Sequence, residues 1–422
     1  MDRFVIEGPT RLAGEVRTGG AKNAVLPLMA ASLLSRGESV IDNVPDLRDV
    51  RTFMRLLEIL GARCAYDAGT LRIDTSGAEG LEAPYDLVKT MRASIYVLGP
   101  LLAARGEARV SLPGGCAWGP RPVNLHLEGL RALGAEPELE SGYIQARAPR
   151  GLSGGEYRFE PSSVGATCNV LMAAVLCDGE ARLHNCAVEP EVTQLAEALA
   201  AAGARIEGVG TTTLEVEGVP ALDPIRHRVV PDRIEAGTFL AAAAITGGDI
   251  TVRDCRPDHL GEPMAALRSM GCELDAGDDF VRITAPDRLG PVEIHTRPFP
   301  GYPTDMQAQL MAVASLADGV SHITENIYPD RFTHTAELRR LGADIRLDGA
   351  TATIFGVPAL SGAPVMATDL RASAALILAG TAAGGTTIVE RIYHIDRGYE
   401  RIEQKLVALG ARIRRENPGP GP

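Results

Sequence analysis

The sequence predicts an α/β protein of two similar domains, each built from three βαβαββ units. Three observations carry this prediction: one motif recurs six times along the 422 residues, each recurrence alternates helical and strand patterns, and the last one lacks a segment that the N-terminus resembles. Apolar residues make up 45% of the chain, which is enough material for two domains with their own cores.

The recurring motif is the end of an amphipathic helix, a glycine stop and a short strand, as in LLEILGARCAY and LRRLGADIRL. Successive copies are 73, 69, 68, 71 and 68 residues apart, so one period holds along the whole chain. The glycines of the six copies are Gly61, Gly134, Gly203, Gly271, Gly342 and Gly410.

Each unit also has an earlier helix closed by glycine, as in LLSRGESVI, and a closing strand pair, as in TTTLEVEGVPALDP. The last unit stops at ARIRRENPGPGP without that pair, whereas the chain opens on RFVIEGPTRLAGEV, which matches it. We therefore expect the N-terminus to complete the sixth unit. The domains would be 22–230 and 1–21 plus 231–422, with a hinge at TGGAKN and RVVPDR.

The formal net charge of −12 argues against nucleic acid or an anionic membrane surface as a partner, because both require a basic face. A local cluster of cations could still bind a small anion, since distant charges are screened. No run of eighteen apolar residues and no signal-peptide pattern occurs, so we expect a cytoplasmic protein without a membrane span. The oligomeric state stays open.

The seven cysteines form no CxxC pair and no cluster with histidine, which indicates reduced thiols and no metal site. Cys168, Cys177 and Cys272 lie in apolar segments and are expected in the core. Cys116 differs, because it lies in the Gly/Pro-rich stretch SLPGGCAWGPRP beside Arg121, where a cation would lower its pKa. An incidental loop thiol is the alternative.

Cations recur where the first helix of a unit begins, at Lys22, Arg92, Arg233 and Arg371. A cation there opposes the helix dipole, so as a set they are better interpreted as ligands for an anionic substrate. Individually each could be a solvated side chain. Arg397 precedes the last helix, although Asp396 could simply neutralise it.

The acidic and hydroxyl residues at these starts are first of all expected to be helix caps: Ser163, Thr304, Asp305 and Asp369. A carboxylate among cations would also stay ionised and could accept a proton from a bound hydroxyl. Motifs of dinucleotide enzymes, P-loop ATPases, zinc hydrolases and serine hydrolases are missing, so no cofactor is expected.

Six long segments, among them GGAKNAVLPLMAASLL, LPGGCAWGPRPVNLHLEGL, PTDMQAQ and ATDLRASAAL, resemble the UDP-N-acetylglucosamine 1-carboxyvinyltransferase family of enolpyruvyl transferases over essentially the entire chain. The resemblance implies two inside-out α/β barrel domains of three units each, with the site in the cleft between them. It implies transfer of the enolpyruvyl group of phosphoenolpyruvate to the 3′-hydroxyl of UDP-N-acetylglucosamine, without a metal, at the start of peptidoglycan synthesis.

The resemblance also assigns roles. Cys116 becomes the proton donor, able to form a covalent adduct, and Asp305 the candidate base. The residues assigned to phosphoenolpyruvate binding are Lys22, Arg121, Arg397 and Arg371, with Asp369 beside them. The residues assigned to nucleotide-sugar binding are Asn23, Arg92, Arg121, Pro122, Val123, Asn124, Leu125, Ser163, Val164, Gly165, Asp305 and Ile327.

This sequence departs from the family at Asn124, where Asp is frequent, and at Pro161 and Ser162. These positions lie on the nucleotide side, so they bear on UDP affinity more than on the chemistry. Trp118 receives no role. The alternatives are the 3-phosphoshikimate branch, which lacks the cysteine loop, and a non-catalytic UDP-sugar-binding paralogue, which would be expected to lose Cys116 or Lys22.

Overall fold

A computed structural model of the chain describes residues 2–89, 91–112, 123–417 and 419. It divides into two compact units, which we call the continuous unit (Gly20–Val230) and the split unit (Met1–Gly19 with Pro231–Pro422). The first division therefore falls two residues before the boundary expected from the sequence.

The continuous unit alternates inner helices, which are buried almost all round, with outer helices that expose a polar face. In chain order its helices are α1 (Lys22–Ala31), α2 (Arg48–Ile59), α3 (Tyr85–Val88), α4 (Leu98–Arg105), α5 (Asn124–Ala132), α6 (Val164–Ala174) and α7 (Pro190–Ala201). The inner helices α1, α4 and α6 are rich in Ala, Leu and Met and lack a polar stripe, which explains their burial.

The split unit follows the same alternation. Its helices are α8 (Arg233–Ile245), α9 (Gly261–Ser269), α10 (Gln307–Ala314), α11 (His334–Arg340), α12 (Leu370–Ala382) and α13 (Ile402–Ala408). The inner helices α8, α10 and α12 pack against one another. Residues of α8 from Ile234 to Ile245 are all buried, because its segment FLAAAAI presents small apolar side chains on every face.

The described chain contains twenty-four strands. Those of the continuous unit, with β1 and β2 of the split unit before them, are β1 (Arg3–Gly8), β2 (Ala13–Arg17), β3 (Glu38–Asp42), β4 (Arg63–Asp67), β5 (Thr70–Asp74), β6 (Glu82–Ala83), β7 (Glu107–Ser111), β8 (Glu136–Glu140), β9 (Tyr143–Arg147), β10 (Ser153–Arg158), β11 (Asp178–His184), β12 (Arg205–Glu207), β13 (Thr213–Glu217) and β14 (Arg226–Arg228).

The remaining strands belong to the split unit: β15 (Asp249–Arg253), β16 (Glu273–Ala276), β17 (Phe280–Thr284), β18 (Glu293–His295), β19 (Val320–Thr324), β20 (Asp344–Asp348), β21 (Thr351–Phe355), β22 (Pro364–Met366), β23 (Gly385–Glu390) and β24 (Arg412–Glu416).

Among the described residues these strands form six four-stranded sheets, three in each unit. Their orders are β14-β3-β5-β4, β6-β7-β9-β8, β10-β11-β13-β12, β16-β17-β15-β2, β18-β19-β21-β20 and β22-β23-β1-β24. In each sheet an edge strand pairs in parallel and the others pair antiparallel. The mixed α/β class predicted from the sequence is thus the observed one.

The N-terminal strand supplies the pairing that the last repeat lacks. β1 lies between β23 and β24 and pairs antiparallel with both, with Ile6 opposite Thr387 on one side and Ile413 on the other. Its side chains Phe4 and Ile6 are fully buried in the core of the split unit. Because β2 pairs in parallel with β15, the chain start is tied into two sheets of that unit.

The predicted core cysteines are buried and free: Cys168, Cys177 and Cys272. Burial raises the pKa of Cys272 to about 11, so this thiol stays protonated and unreactive at neutral pH. Across the residues that the structure describes, no cluster of three metal-ligating side chains occurs. None of the helices within those ranges combines the length and apolar character that a membrane crossing needs.

Candidate active site

Asp305 of the split unit lies between two guanidinium groups. Its Oδ2 accepts a hydrogen bond from Nη2 of Arg371 and its Oδ1 one from Nη1 of Arg331, both at 2.8 Å. The arginine side chains are buried, whereas a quarter of the Asp305 side chain is exposed. The arrangement holds a partly accessible carboxylate among cations, as the sequence predicts for Asp305 and Arg371.

The cap interpretation of Asp305 is wrong. Residues Thr304–Met306 form a 3-10 turn before α10, with no side-chain cap on either element, because both carboxylate oxygens of Asp305 are engaged by arginine. Burial would raise the pKa of Asp305, but the charges and hydrogen bonds of Arg371 and Arg331 outweigh it and hold that pKa well below its usual value. The carboxylate is therefore ionised at neutral pH.

Arg371 is held from two further directions. Oδ1 of Asp369 accepts hydrogen bonds from the backbone N–H groups of Arg371 (2.8 Å) and Ala372 (3.1 Å), so Asp369 is the N-cap of α12, in agreement with its expected role. Nη1 of Arg371 donates to the buried Tyr399 hydroxyl at 3.2 Å. A cap and a tyrosine thus aim the guanidinium at Asp305.

Arg397 ends a 3-10 turn, Ile392–Arg397, that packs against α12. The next residue, Gly398, touches the first turn of α12 so closely that a Cβ atom there would lie 2.6 Å from Cδ2 of Leu370. Asp396 is engaged elsewhere, because its two carboxylate oxygens accept hydrogen bonds from Arg415 at 2.7 and 3.0 Å. Neutralisation of Arg397 by Asp396 is therefore not what the structure shows.

Ile327 follows strand β19, and its backbone is fixed by a buried acid. The N–H groups of Ile327 and Tyr328 donate to Oε1 of Glu325 at 2.9 and 3.0 Å. Glu325 has no exposed surface.

In the continuous unit, Lys22 and Asn23 open α1 and are half-buried. Nζ of Lys22 lies 3.4 Å from Oδ2 of Asp49, a buried side chain in the first turn of α2. The predicted substrate cation is thus already oriented by a carboxylate that sequence reasoning missed.

Arg92, Leu125 and Gly165 lie at helix starts that converge on His126. The Nδ1 atom of His126 accepts a hydrogen bond from the Asn169 side-chain amide at 3.0 Å, since that amide oxygen is taken by the N–H of Gly99 at 2.6 Å. Burial, with a smaller contribution from the Arg92 charge, lowers the pKa of His126 to about 4. The imidazole is therefore neutral, with its proton on Nε2.

The turn at the start of α6 approaches this ring. A Cβ atom at Gly165 would lie 3.4 Å from Cε1 and Nε2 of His126. Ser163 caps α6 by accepting a hydrogen bond from the N–H of Ala166, as its position predicts. Val164 and Gly165 thus begin the helix beside a neutral histidine.

The other residues predicted to bind the nucleotide sugar lie at or just before helix starts, as the sequence predicts, or lie outside the described residues. Val123 is the N-cap of α5, which Asn124 and Leu125 begin. Pro161 and Ser162 directly precede the Ser163 cap. Cys116, Trp118, Arg121 and Pro122 lie outside the residues that the structure describes.

Comparison with known proteins identifies the family of the chain. Residues 6–406 match the family model of EPSP synthase (3-phosphoshikimate 1-carboxyvinyltransferase). The UDP-N-acetylglucosamine 1-carboxyvinyltransferase of Anaeromyxobacter sp. (strain Fw109-5) is 56% identical over 99% of this chain and 100% of its own length. The enzyme of that name from Geotalea uraniireducens (strain Rf4) is 55% identical over 98% of this chain and 99% of its own.

The chain belongs to the UDP-N-acetylglucosamine 1-carboxyvinyltransferase family. The resemblance stated from the sequence is confirmed. Among solved structures, the enolpyruvyl transferase NikO from Streptomyces tendae is similar, with a TM-score of 0.89 and 28% identity over 98% of both chains. An EPSP synthase from Acinetobacter baumannii, at 18% identity and a TM-score of 0.75 over 99% of this chain and 100% of its own, shares the fold.

For this member of the UDP-N-acetylglucosamine 1-carboxyvinyltransferase family, sequence reasoning missed the residues that hold the predicted ones in place: Asp49, His126, Asn169, Glu325, Arg331 and Tyr399. Some had a signal. Asn169 is a lone amide in an apolar helix, and Arg331 precedes a helix as the other cations do. Glu325 had none, because the two threonines that donate to it, Thr296 and Thr304, are distant in sequence.

Proposed function

We propose that this protein transfers the enolpyruvyl group of phosphoenolpyruvate to the 3′-hydroxyl of UDP-N-acetylglucosamine and releases phosphate, the first committed step of peptidoglycan synthesis. The observation that carries the proposal is the Asp305 carboxylate, held ionised and accessible between Arg371 and Arg331. The activity for which these relatives are named supports the substrate pair.

In this proposal phosphoenolpyruvate, which is close to a trianion, is bound by Lys22, Arg121 and Arg397 with Arg371. Guanidinium groups suit this ligand, since their planar fork binds carboxylate and phosphate through paired hydrogen bonds. Asp49 orients Lys22 through an ion pair, and Asp369 orients Arg371 by accepting its backbone N–H.

The nucleotide sugar is assigned to Asn23, Arg92, the segment 121–125, the turn 163–165, Asp305 and Ile327. The first turn of α6 supports this assignment, because its free N–H groups and positive dipole end favour the diphosphate. The neutral His126 beside Gly165 adds no charge there.

The reaction is an addition followed by an elimination. Cys116 protonates C3 of phosphoenolpyruvate, so that C2 becomes an electrophilic oxocarbenium centre. The 3′-hydroxyl oxygen bonds to C2 and loses its proton, which yields a tetrahedral phospholactoyl intermediate. C3 then returns a proton to the Cys116 thiolate while the bond from C2 to the phosphate oxygen breaks, and phosphate leaves with the electron pair.

Asp305 is the base for the hydroxyl, although its pKa lies far below that of an alcohol. The hydroxyl becomes strongly acidic once its oxygen bonds to the cationic C2, so a weak base suffices at that moment. Each carboxylate oxygen has a second lone pair, and Asp305 can therefore accept the hydroxyl hydrogen bond without releasing either arginine.

The proposal includes the fold and location implied by the family. Each unit is proposed to be an inside-out α/β barrel, which its three four-stranded sheets and its mutually packed inner helices support. A cytoplasmic location fits the free cysteines among the described residues, since thiols stay reduced in that compartment.

The test is a phosphate-release assay on the purified protein with phosphoenolpyruvate and UDP-N-acetylglucosamine. We expect turnover with the wild type and loss of turnover in Cys116→Ser. Full activity of Cys116→Ser would contradict the donor role of Cys116. The epoxide fosfomycin, which labels the loop cysteine of this family, should modify the wild type only.

The same assay separates the alternatives. Turnover with 3-phosphoshikimate in place of the nucleotide sugar would favour the EPSP synthase branch, which the family model covers as well. Calorimetric binding of UDP-N-acetylglucosamine without any turnover would favour a non-catalytic paralogue.

A further inference from the structure

Glu325 is a fully buried acid that the proposed chemistry does not use. Its Oε1 accepts hydrogen bonds from the Thr296 hydroxyl (2.7 Å) and from the backbone N–H groups of Ile327 and Tyr328. Its Oε2 accepts one from the Thr304 hydroxyl at 2.8 Å. The carboxylate thus links strand β19 and its following loop to the residue before Asp305.

The Thr304 hydroxyl makes this link directional. An ionised carboxylate only accepts hydrogen bonds, so the single hydroxyl proton of Thr304 is committed to Glu325. A lone pair of the Thr304 oxygen is then free to accept a hydrogen bond from Nη1 of Arg331 at 3.0 Å. The same Nη1 donates to Oδ1 of Asp305, so Thr304 and Asp305 together fix the guanidinium.

Charge supports the same conclusion. Asp305 faces two guanidinium groups, those of Arg331 and Arg371, and its own charge balances one of them. Glu325 supplies a second negative charge near Arg331, through Thr304, which binds the same Nη1 as Asp305 does. A site without it would be more cationic, and the carboxylate a weaker base.

We propose that Glu325 is a positioning residue. Its buried carboxylate fixes the position of Asp305 through Thr304 and Arg331. It fixes the backbone of Ile327 directly. The inference rests on the proposed function, in which Asp305 accepts the hydroxyl proton and Ile327 contacts the nucleotide sugar. Glu325 therefore aligns Asp305, the base for the hydroxyl, with Ile327, which contacts the substrate that carries this hydroxyl.

The test compares two threonines that donate to the same carboxylate. Thr304→Val breaks the path to Arg331, while Thr296→Val removes a hydrogen bond to the same carboxylate, together with the acceptor of the Asn326 N–H, without contact to Arg331. Both should lower the midpoint of urea unfolding. Only Thr304→Val should lower kcat, by about ten- to a hundredfold, with the KM for UDP-N-acetylglucosamine changed less than about threefold.

Thr304→Ser keeps the hydroxyl and should restore kcat to within about threefold of the wild type. Equal kcat in Thr304→Val and wild type would overturn the inference, as would equal losses in the two valine variants. A serine variant as slow as Thr304→Val would overturn it too.

Glu325→Gln keeps the shape of the side chain and removes its charge. It also tests the inference if Thr304→Val does not fold. Its amide would donate to Thr304 and force the hydroxyl proton toward Arg331, so we expect a lower kcat together with a higher KM for UDP-N-acetylglucosamine. Unchanged kcat and KM would overturn the inference alone. A wild type that releases no phosphate would overturn the proposed function and this inference with it.

Discussion

Arg371 donates from Nη2 to Oδ2 of Asp305 at 2.8 Å, across 66 residues of sequence. The same arginine reaches the Tyr399 hydroxyl, which is hydrogen-bonded to Thr238 at 2.9 Å in the core. The candidate base is thereby anchored to the centre of the split unit, and its neighbourhood yields the first prediction.

Asp305→Asn should lower kcat by about a hundredfold or more, because the amide cannot take the hydroxyl proton. It should also lower the free energy of unfolding by about 2 kcal/mol, less than for a fully buried pair since Asp305 keeps contact with solvent. Steady-state phosphate release and urea unfolding measure the two effects.

The matched control is Asp249→Asn, which breaks a paired contact with Arg282 at the surface of the same unit. We expect unchanged kcat and a loss below about 1 kcal/mol. Wild-type kcat in Asp305→Asn would contradict the role of base.

Gly398→Ala should raise the KM for phosphoenolpyruvate. The added Cβ would lie 2.6 Å from Cδ2 of Leu370, so the Leu370 side chain, the Arg397 turn or both must shift, and Leu370 and that turn lie beside the proposed ligands Arg371 and Arg397. We expect about a tenfold increase, with a smaller change in the KM for the nucleotide sugar. Separate titration of the two substrates measures the difference.

Gly261→Ala is the control for that substitution, because a Cβ atom there meets no neighbouring atom within 4 Å. Its kinetics should equal those of the wild type. Equal KM values in Gly398→Ala and wild type would contradict the close packing at Leu370.

Asn169→Ala should destabilise the protein by about 2 to 4 kcal/mol. Its buried amide bonds the N–H of Gly99, the carbonyl of Ile95 and Nδ1 of His126, and the substitution removes these partners while the Ile95 carbonyl keeps the N–H of Leu98. Denaturant unfolding measures the loss. Asn417→Ala, at an exposed position, should change stability little, and a similar small effect of Asn169→Ala would contradict the bridging role.

Two buried histidines predict acid sensitivity. Burial, aided by nearby arginines, lowers the pKa of His126 to about 4 and that of His334 to about 3. The unfolded chain binds these protons near pH 6.5 and the folded chain does not, so their stability contribution is complete above pH 6.5. It should fall by about 1.4 kcal/mol per pH unit for each histidine as the pH drops from 6.5 toward 4.

His334→Gln removes one of these protons and should make stability less dependent on pH between 7 and 4.5. Urea unfolding at several pH values measures the slope. An identical slope in wild type and variant would contradict a neutral His334 in the folded protein.

The sequence predicted the periodic part of the fold well. Glycine stops and apolar periodicity are local signals, so the six recurring units could be inferred without coordinates. Of the segment RFVIEGPTRLAGEV, expected to complete the last unit, only Arg3–Gly8 joins its sheet, whereas Ala13–Arg17 pairs with β15. Helix starts followed too, although Arg92 and Thr304 begin 3-10 turns rather than α-helices. The roles of Cys116 and Arg121 stay predictions.

The partners of the site residues could not be predicted in this way. Asp305 looked like a cap, because it lies at a helix start and the arginines that bind its oxygens, Arg331 and Arg371, lie 26 and 66 residues away. Asp396 looked like a neighbour that neutralises Arg397, but its carboxylate is bound by Arg415, 19 residues further along the chain. A hydrogen bond depends on distance in space, and sequence spacing beyond one helical turn does not report that distance.

By itself the sequence determined the repeat, the α/β class, the family and which residues carry charge at the helix starts. The tertiary structure alone decided which of those charges meet. Glu325, Thr304 and Arg331 come together behind Asp305, and Asp49 comes to Lys22, because folding of each unit brings separate segments into hydrogen-bonding distance. The pKa values of the candidate site follow from those contacts, since burial and neighbouring charge set them.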